Sequence, residues 1–221
     1  MKSDTVGSQR LLQRAVEHRP ELLQSALRRS GALGRRDRIT WLSPLPPKYQ
    51  EFRDVEALRQ LGVRDVLRQP LEEFWPSRGP VWDGLGLVDN VPILVEAKAH
   101  IPEAASPATR ASSASRLLIE ASLNAARRYY APRTRADWTQ VFFQYANRLA
   151  HQYFLREKNG IPSRLVFLYF TNATDVDGPV TVEEWRGAIR LLHAQLGLPA
   201  DLTRFGVFDA FFDARVVMDT D

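Results

Sequence analysis

Apolar residues recur at helical spacing in several segments of the chain. In residues 8–30 they fall three or four positions apart, which predicts two amphipathic helices or one helix broken at Pro20. The same spacing predicts helices over 113–130 and 137–158. Further predicted helices are "KYQEFRDVEALRQLG", which closes at Gly62, "VRDVLRQPLEEFWP", which is interrupted near Pro70, and "TVEEWRGAIRLLHAQLG", which carries helix-capping signals.

Other apolar stretches have the spacing or the length of β-strands. "PILVEAKA" alternates between two sets of side chains, and "SRLVFLYFT" is a continuous apolar run, as expected for a strand buried on both faces. "VWDGLGLV" precedes the first of them, "RITWLSPL" or part of "SRGPVW" supplies a further strand, and "RFGVFDAFFDARV" forms one or two closing strands. The order of helices and strands predicts an α/β fold with a central mixed sheet flanked by helices.

The stretch "WDGLGLVDNVPILVEAKAH", residues 82–100, has the pattern of a β-hairpin. Asp89 and Asn90 tolerate positive φ and can form its two-residue turn. With that turn the numbers of facing residues add to 179, so Asp83 faces Glu96. The pair would be of the close, non-hydrogen-bonded kind, with Cβ atoms about 4.5–5.5 Å apart.

Two carboxylates that face each other on a sheet repel, so a compensating positive charge is expected beside them. A divalent cation is one answer. Lys98 is another, because it follows Glu96 on the same strand face at a distance of about 7 Å. Two alternatives stay open: an ordinary ion pair on a solvated strand face, and a bulge at Gly84 or Gly86 that shifts the register.

The composition restricts the chemistry of such a site. The chain has no cysteine, which excludes disulfides and cysteine-ligated zinc or iron–sulfur centres, and its four histidines stand far apart. A metal would therefore be held mainly by oxygen, which favours Mg²⁺, Mn²⁺ or Ca²⁺. The formal net charge is +4, and only four of the 30 basic residues are lysines. Arginine suits phosphate groups, but its excess can equally reflect genome composition.

The sequence predicts a cytoplasmic protein without a membrane span. No apolar run approaches the roughly 20 residues that cross a bilayer. The first 24 residues lack the apolar region of a secretory signal.

One short motif connects the hairpin to a known family. Asp83 lies on one predicted strand, and the triplet Glu96-Ala97-Lys98 lies on the next. An acidic residue followed, across a hairpin, by an acidic-x-Lys triplet resembles the signature of the PD-(D/E)XK nuclease superfamily, which has the restriction-endonuclease-like fold. No branch of the superfamily is assigned.

The resemblance implies an organisation for the whole chain, which we expect to be a single domain over residues 1–221. A restriction-endonuclease-like αβββαβ core would occupy residues 63–172. Residues 1–62 would form an N-terminal helical and extended appendage, and residues 173–221 would add a C-terminal helix and strand.

The resemblance also implies roles for particular residues. Mg²⁺ or Mn²⁺ would be bound by Asp83, Glu96, the Ala97 carbonyl and a helical glutamate, for which Glu73 is the candidate. Lys98 would position the attacking water or stabilise the developing charge. Gln144 would orient the lysine. The residues themselves suggest three contacts with the nucleic-acid backbone: Arg127 and Arg128, in a basic–aromatic cluster with two tyrosines, and Arg148, four positions after Gln144 on one helix stripe. A core position for the tyrosines and an ordinary polar helix flank are the open alternatives.

The implied activity is metal-dependent hydrolysis of phosphodiester bonds. The implied partner is nucleic acid, DNA in preference to RNA, and a homodimer is compatible with the sequence. A catalytically inactive nuclease-fold protein that binds nucleic acid or assembles with other proteins is the alternative. An unrelated α/β protein, in which the three residues form an internal salt bridge, is a more distant one.

Overall fold

A five-stranded mixed sheet lies at the centre of the computed structural model, which describes residues 7–175, 178 and 180–218. In chain order the strands are β1 (Thr40–Ser43), β2 (Phe52–Arg53), β3 (Val81–Trp82), β4 (Gly84–Val88), β5 (Val91–Lys98), β6 (Arg164–Thr171) and β7 (Val207–Asp213). The sheet has the order β1-β4-β5-β6-β7, and β2 pairs with β3 separately. The pairs β1–β4 and β4–β5 are antiparallel, whereas β5, β6 and β7 are parallel.

Helices cover both faces of this sheet. They are α1 (Ser8–His18), α2 (Pro20–Arg29), α3 (Asp54–Gln60), α4 (Ile101–Ala104), α5 (Ser113–Tyr130), α6 (Phe143–Tyr153), α7 (Val182–Leu196) and α8 (Arg215–Met218). Helices α1, α2 and α8 share one apolar layer with the sheet, and α3, α5, α6 and α7 share the other. The predicted α/β class, a central mixed sheet flanked by helices, is confirmed.

The hairpin has the predicted register. Pairs from Gly84 with Val95 to Val88 with Val91 all add to 179. The turn residues Asp89 and Asn90 have φ of 48° and 65°.

Neither glycine of β4 forms the bulge that the sequence left open. A Cβ atom on Gly86 would lie 2.9 Å from the Ile39 side chain and 3.1 Å from the Thr40 carbonyl of β1, so a larger residue would crowd the approach of β1. The only irregularity in the described β1–β4 pairing lies in β1, between Trp41 and Ser43.

The strand that the sequence left ambiguous comes from "RITWLSPL", which contains β1. "SRGPVW" contains β3, but this strand pairs with β2 outside the main sheet. Residues 1–62, for which we expected an appendage, thus supply an edge strand of the sheet as well as α1 and α2, which cover one of its faces.

Two predicted helices differ from the structure. Helix α6 begins at Phe143 rather than near residue 137, because the Asp137 carboxylate accepts hydrogen bonds from Thr139 and Phe142 has a left-handed φ of 65°. The segment "VRDVLRQPLEEFWP" forms two 3₁₀ turns, Arg64–Val66 and Leu71–Glu73. Between them Asn159 Oδ1 accepts hydrogen bonds from two backbone N–H groups and holds the chain out of a helix.

The predicted helix over 113–130 is confirmed as α5, and the capped helix is confirmed as α7. Thr181 and Glu184 form a capping box at the start of α7, and Gly197 adopts a left-handed conformation after its end. None of the helices in the described part of the chain is long and apolar enough to cross a membrane.

Candidate active site

The chain bends at Asp83, between β3 and β4. Because of this bend, the predicted facing pair of Asp83 and Glu96 is absent from the strand pairing, which ends at Gly84. Instead, Asp83 Oδ2 accepts a 2.7 Å hydrogen bond from the backbone N–H of Ala97. The N–H and C=O groups of a strand residue point to the same side, so the Ala97 carbonyl is also directed toward the bend.

Glu96 is buried between two cations. Its side chain is 3% exposed, and Nε of Arg148 donates to its Oε2 atom at 2.6 Å. The other carboxylate oxygen, Oε1, pairs with the ammonium group of Lys98. Lys98 therefore shares a strand face with Glu96, as their two-residue spacing predicts.

Arg148 is buried in a position that does not favour the predicted contact with a phosphate. Besides binding Glu96, its Nη2 atom donates to the Val81 carbonyl at 2.9 Å, and its guanidinium carbon lies 5.1 Å from the centre of the Trp82 ring. The side chain is 7% exposed. Contact with a phosphate does not fit this burial, because the donors are directed at protein oxygens. Arg148 instead fixes Glu96 and anchors the chain before the bend at Asp83.

The two carboxylates have different electrostatic environments. Burial raises the pKa of Asp83 to about 7, and the negative charge of Glu96 adds to the effect. Burial also opposes ionisation of Glu96, but Arg148 and Lys98 outweigh it and hold the pKa of Glu96 below its usual value. One carboxylate is therefore ionised at neutral pH while its neighbour exchanges a proton there, a difference typical of catalytic pairs.

The pKa of Asp83 predicts a pH-dependent stability. Because the pKa in the folded protein lies above the ordinary value of 3.8, the folded state holds the extra proton. The free energy of unfolding should therefore fall as the pH rises from about 4 and level off above pH 7. Asp209 contributes to the same trend, since burial raises its pKa to about 7 as well.

Denaturant unfolding of Asp83→Asn at pH 5 and pH 8 checks this prediction. The fall in stability between the two values should be about 2 kcal/mol smaller than in the wild type, because a full proton is worth about 1.4 kcal/mol per pH unit. Asp65→Asn, at a fully exposed side chain, is the matched control and should leave the profile unchanged. An Asp83→Asn profile equal to that of the control would contradict the prediction.

Glu51 is an acidic residue within electrostatic range of the site that the sequence did not reveal. It follows the loop after β1 and accepts a 2.7 Å hydrogen bond from Gln9 of α1. Burial raises its pKa, and the charges of Glu96 and Arg148 also act on it, so Glu51 lies within electrostatic range of Glu96. No periodicity or motif singles out Glu51, which lies 32 positions before Asp83 in the chain.

The positions of Glu73 and Gln144 do not favour the roles predicted for them, metal binding and orientation of Lys98. Glu73 is exposed at the end of a 3₁₀ turn, and its side chain has no hydrogen bond or ion pair within the described residues. Gln144 is exposed in the first turn of α6, where its backbone N–H donates to Ser106 Oγ at 2.9 Å. It shares a helix stripe with Arg148, but the structure gives no contact between its side chain and Lys98.

Arg127 and Arg128 lie at the other end of the sheet. They are followed by Tyr130, whose hydroxyl donates a hydrogen bond to the Gln152 side chain. The Gln152 amide in turn donates to the carbonyl of Gly206, the residue before β7, so this end of α5 lies at the start of β7. The carboxylate site lies at the opposite, carboxyl end of the parallel strands. The predicted contact of these two arginines with nucleic acid at the site therefore finds no support in their position.

The donor atoms around the bend fit a hard divalent cation. The Asp83 carboxylate, the Glu96 carboxylate and the Ala97 carbonyl offer oxygen atoms, the ligands that Mg²⁺ and Mn²⁺ prefer. Within residues 7–175, 178 and 180–218, however, no three acidic, histidine or cysteine side chains form a metal-binding group. A cation here would thus depend on the backbone carbonyl and on water, and it would compete with Lys98 and Arg148 for Glu96.

No family model, curated protein or solved structure matches the chain. The geometry of the site is therefore the basis for inferring its function.

Proposed function

We propose that the protein is a metal-dependent nuclease that hydrolyses phosphodiester bonds of nucleic acid. The observation that carries the proposal is the meeting of Asp83, Glu96 and Lys98 around the Ala97 backbone at the end of β5. The main sheet supports it: β1, β4 and β5 are antiparallel neighbours, and β6, which follows α5 and α6, is parallel to β5, although β2, α3 and β3 intervene between β1 and β4. Of the αβββαβ core that the motif implies for residues 63–172, this range supplies β4, β5 and β6 to the main sheet, and the third antiparallel strand, β1, comes from residues 40–43.

Arg148, Lys98 and Asp83 would have different roles in such a reaction. Arg148 holds the Glu96 carboxylate in one orientation. Lys98 supplies a compact positive charge, which can orient the attacking water or stabilise charge that develops on the phosphate. Asp83 must lose its proton to act as a metal ligand, so binding of a cation should strengthen as the pH rises toward 8.

Asp83, Glu96 and the Ala97 carbonyl would hold Mg²⁺ or Mn²⁺, and Glu51, whose charge interacts with that of Glu96, is the additional acidic candidate in place of Glu73. When bound, such an ion neutralises charge on the scissile phosphate and lowers the pKa of water. The proposed substrate is DNA in preference to RNA.

One observation favours a second candidate, a nuclease-fold protein that binds nucleic acid without cleaving it. Both oxygen atoms of Glu96 already have cationic partners, Lys98 and Arg148. A carboxylate neutralised in this way can persist without a metal. In that case nucleic acid would bind, but divalent cations would change neither its integrity nor the stability of the protein.

Cleavage of labelled oligonucleotides tests the proposal. Wild-type protein should cleave DNA in Mn²⁺ or Mg²⁺ and should be inactive in EDTA, whereas Asp83→Asn should be inactive in both. Single- and double-stranded DNA and RNA are assayed in parallel. Intact substrate with wild-type protein in every divalent cation, together with measurable binding, would favour the non-catalytic candidate.

Thermal unfolding in Mn²⁺ separates Glu51 from Glu73 as the additional acidic residue. At pH 8 and at 100 times the Kd, Mn²⁺ should raise the Tm of the wild type by about 5 °C or more. Glu51→Gln should reduce this increase, because the charge of Glu51 interacts with that of Glu96, and Glu73→Gln should not, because Glu73 is exposed to solvent. Equal increases in both variants would exclude Glu51 from the site.

A further inference from the structure

A cavity of about 400 Å³ lies beside the candidate active site. Phe143 and Asn147 line it from one stripe of α6, and Gln144 and Arg148 form the next stripe, which reaches Glu96. Because residues 147 and 148 are consecutive, their Cα atoms are only about 3.8 Å apart. The cavity and the carboxylate site therefore flank the same turn of the helix.

Two aromatic rings form the apolar part of the cavity wall. Trp75 and Phe143 have ring centres 6.5 Å apart with an angle of 29° between their planes. Trp75 is held from behind by His151, whose ring centre lies 4.8 Å away. Trp75 is only 3% exposed, so the partly exposed ring of Phe143, supported by Trp75, is the flat surface on which a base can stack.

The rim of the cavity is positively charged. Arg78 and Arg110 line it, both are exposed, and neither forms an ion pair within the described residues. The cavity also adjoins the start of the 18-residue helix α5, where Ser112 makes no side-chain capping bond. Free amide groups at a helix N-terminus favour an anion, and the arginines add to this preference. No acidic side chain is among the described residues that line the cavity.

Asn147 provides an independent sign of a ligand. Its side chain is 7% exposed and lines the cavity, and its Oδ1 atom has no hydrogen-bond partner in the described part of the chain. Buried acceptors are normally paired, because an unpaired one retains its full desolvation penalty. Every nucleobase has an N–H group that can supply the missing donor.

We propose that this cavity binds one unpaired nucleotide next to the phosphodiester bond at the active site. Its base stacks on Phe143 and donates to Asn147, and its phosphate lies at the start of α5 near Arg78 and Arg110. A base inside a duplex is stacked and paired and cannot enter, so the substrate is single-stranded or locally unpaired nucleic acid. This inference rests on the proposed nuclease function for its position along the substrate.

Fluorescence anisotropy with labelled oligonucleotides in Ca²⁺ tests the cavity without requiring cleavage. Wild-type protein should bind a single-stranded 12-mer about tenfold more tightly than the blunt duplex of the same sequence. Arg78→Ala/Arg110→Ala should weaken single-strand binding about tenfold or more and reduce the salt dependence by about one to two released ions. Asn147→Asp should also weaken it, because it places a negative charge where a base and a phosphate bind.

The matched control is Arg35→Ala/Arg36→Ala. It removes the same charge from two exposed positions just before β1. The first residue of β1, Thr40, pairs with Leu87 beside the hairpin turn, so these arginines lie away from the bend at Asp83. The control should bind like the wild type. Equal binding by the cavity variants and the control, or equal affinity of the wild type for single strand and duplex, would overturn the cavity proposal.

The same assay distinguishes the cavity proposal from the proposed function. Lys98→Ala should bind single strands like the wild type and fail to cleave them in Mn²⁺. If wild-type protein binds through the cavity but cleaves nothing in any divalent cation, the nuclease proposal fails and the nucleotide site stands. If cleavage depends on Lys98 but the cavity variants bind normally, the nucleotide site fails and the nuclease proposal stands.

Discussion

Replacing Lys98 by alanine should reduce Mn²⁺-dependent cleavage by about 100-fold or more. The Lys98 side chain is 13% exposed and pairs with Glu96, so its charge acts where little water screens it. Loss of one preorganised charge or donor at a reacting centre typically lowers kcat by about 10²–10³. Single-turnover cleavage of a labelled oligonucleotide measures the effect on the chemical step.

Two further variants control for packing and for total charge. Lys98→Met keeps most of the apolar side chain and should be as inactive as Lys98→Ala, which would assign the loss to the ammonium group. Lys158→Ala removes the same charge from an exposed position and should retain full activity. Cleavage by Lys98→Ala at the rate of the Lys158→Ala control would rule out a catalytic role for Lys98.

The largest effect on stability is expected for Arg148→Ala, which should lower the free energy of unfolding by about 3–5 kcal/mol at pH 7. The variant leaves Glu96, 3% exposed, with one cationic partner instead of two. It also removes the hydrogen bond to the Val81 carbonyl and the contact with the Trp82 ring. Guanidinium chloride unfolding, followed by circular dichroism, gives the difference directly.

A more exposed ion pair is the control for this prediction. Arg164 binds Asp37 at 2.9 Å, with side chains 27% and 22% exposed, so Arg164→Ala should have a smaller effect than Arg148→Ala. Glu96→Gln/Arg148→Met should recover much of the stability, because it removes the buried carboxylate charge together with the guanidinium that pairs with it. A loss below about 1 kcal/mol in Arg148→Ala would show that the buried pair contributes no more than a surface one.

The loss in the free energy of unfolding caused by Arg148→Ala should become smaller at acidic pH. The folded-state pKa of Glu96 is depressed, so its ion pairs stabilise the protein above the ordinary glutamate pKa and are lost as the pH falls through the folded value. The difference between the stability loss of Arg148→Ala at pH 7 and its loss at low pH therefore measures the contribution of the Arg148–Glu96 ion pair. Loss of the Trp82 contact and of the Val81 hydrogen bond remains at every pH.

Several features of this protein were determined by local sequence. The Asp89-Asn90 dipeptide fixes a two-residue turn, because both residues tolerate positive φ, and the turn then fixes every pair of the hairpin up to Gly84. Strand β6 was recognisable from its continuous apolar run, since a strand between two parallel neighbours has helices on both faces. Helix α7 was recognisable from its capping box and the glycine after its end. The spacing of Glu96 and Lys98 likewise placed them on one strand face.

Only the tertiary structure determined how these residues meet. The bend at Asp83 arises because β3 leaves the hairpin to pair with β2, a contact between segments about 30 residues apart in the chain. Arg148 reaches Glu96 across 52 positions, and Glu51 is brought near the pair through Gln9 of α1. Such contacts depend on the packing of whole elements, and hydrophobic spacing within one element carries no information about them. Local patterns therefore fixed the strand that bears Glu96 and Lys98, whereas packing across the fold decided which charges surround it.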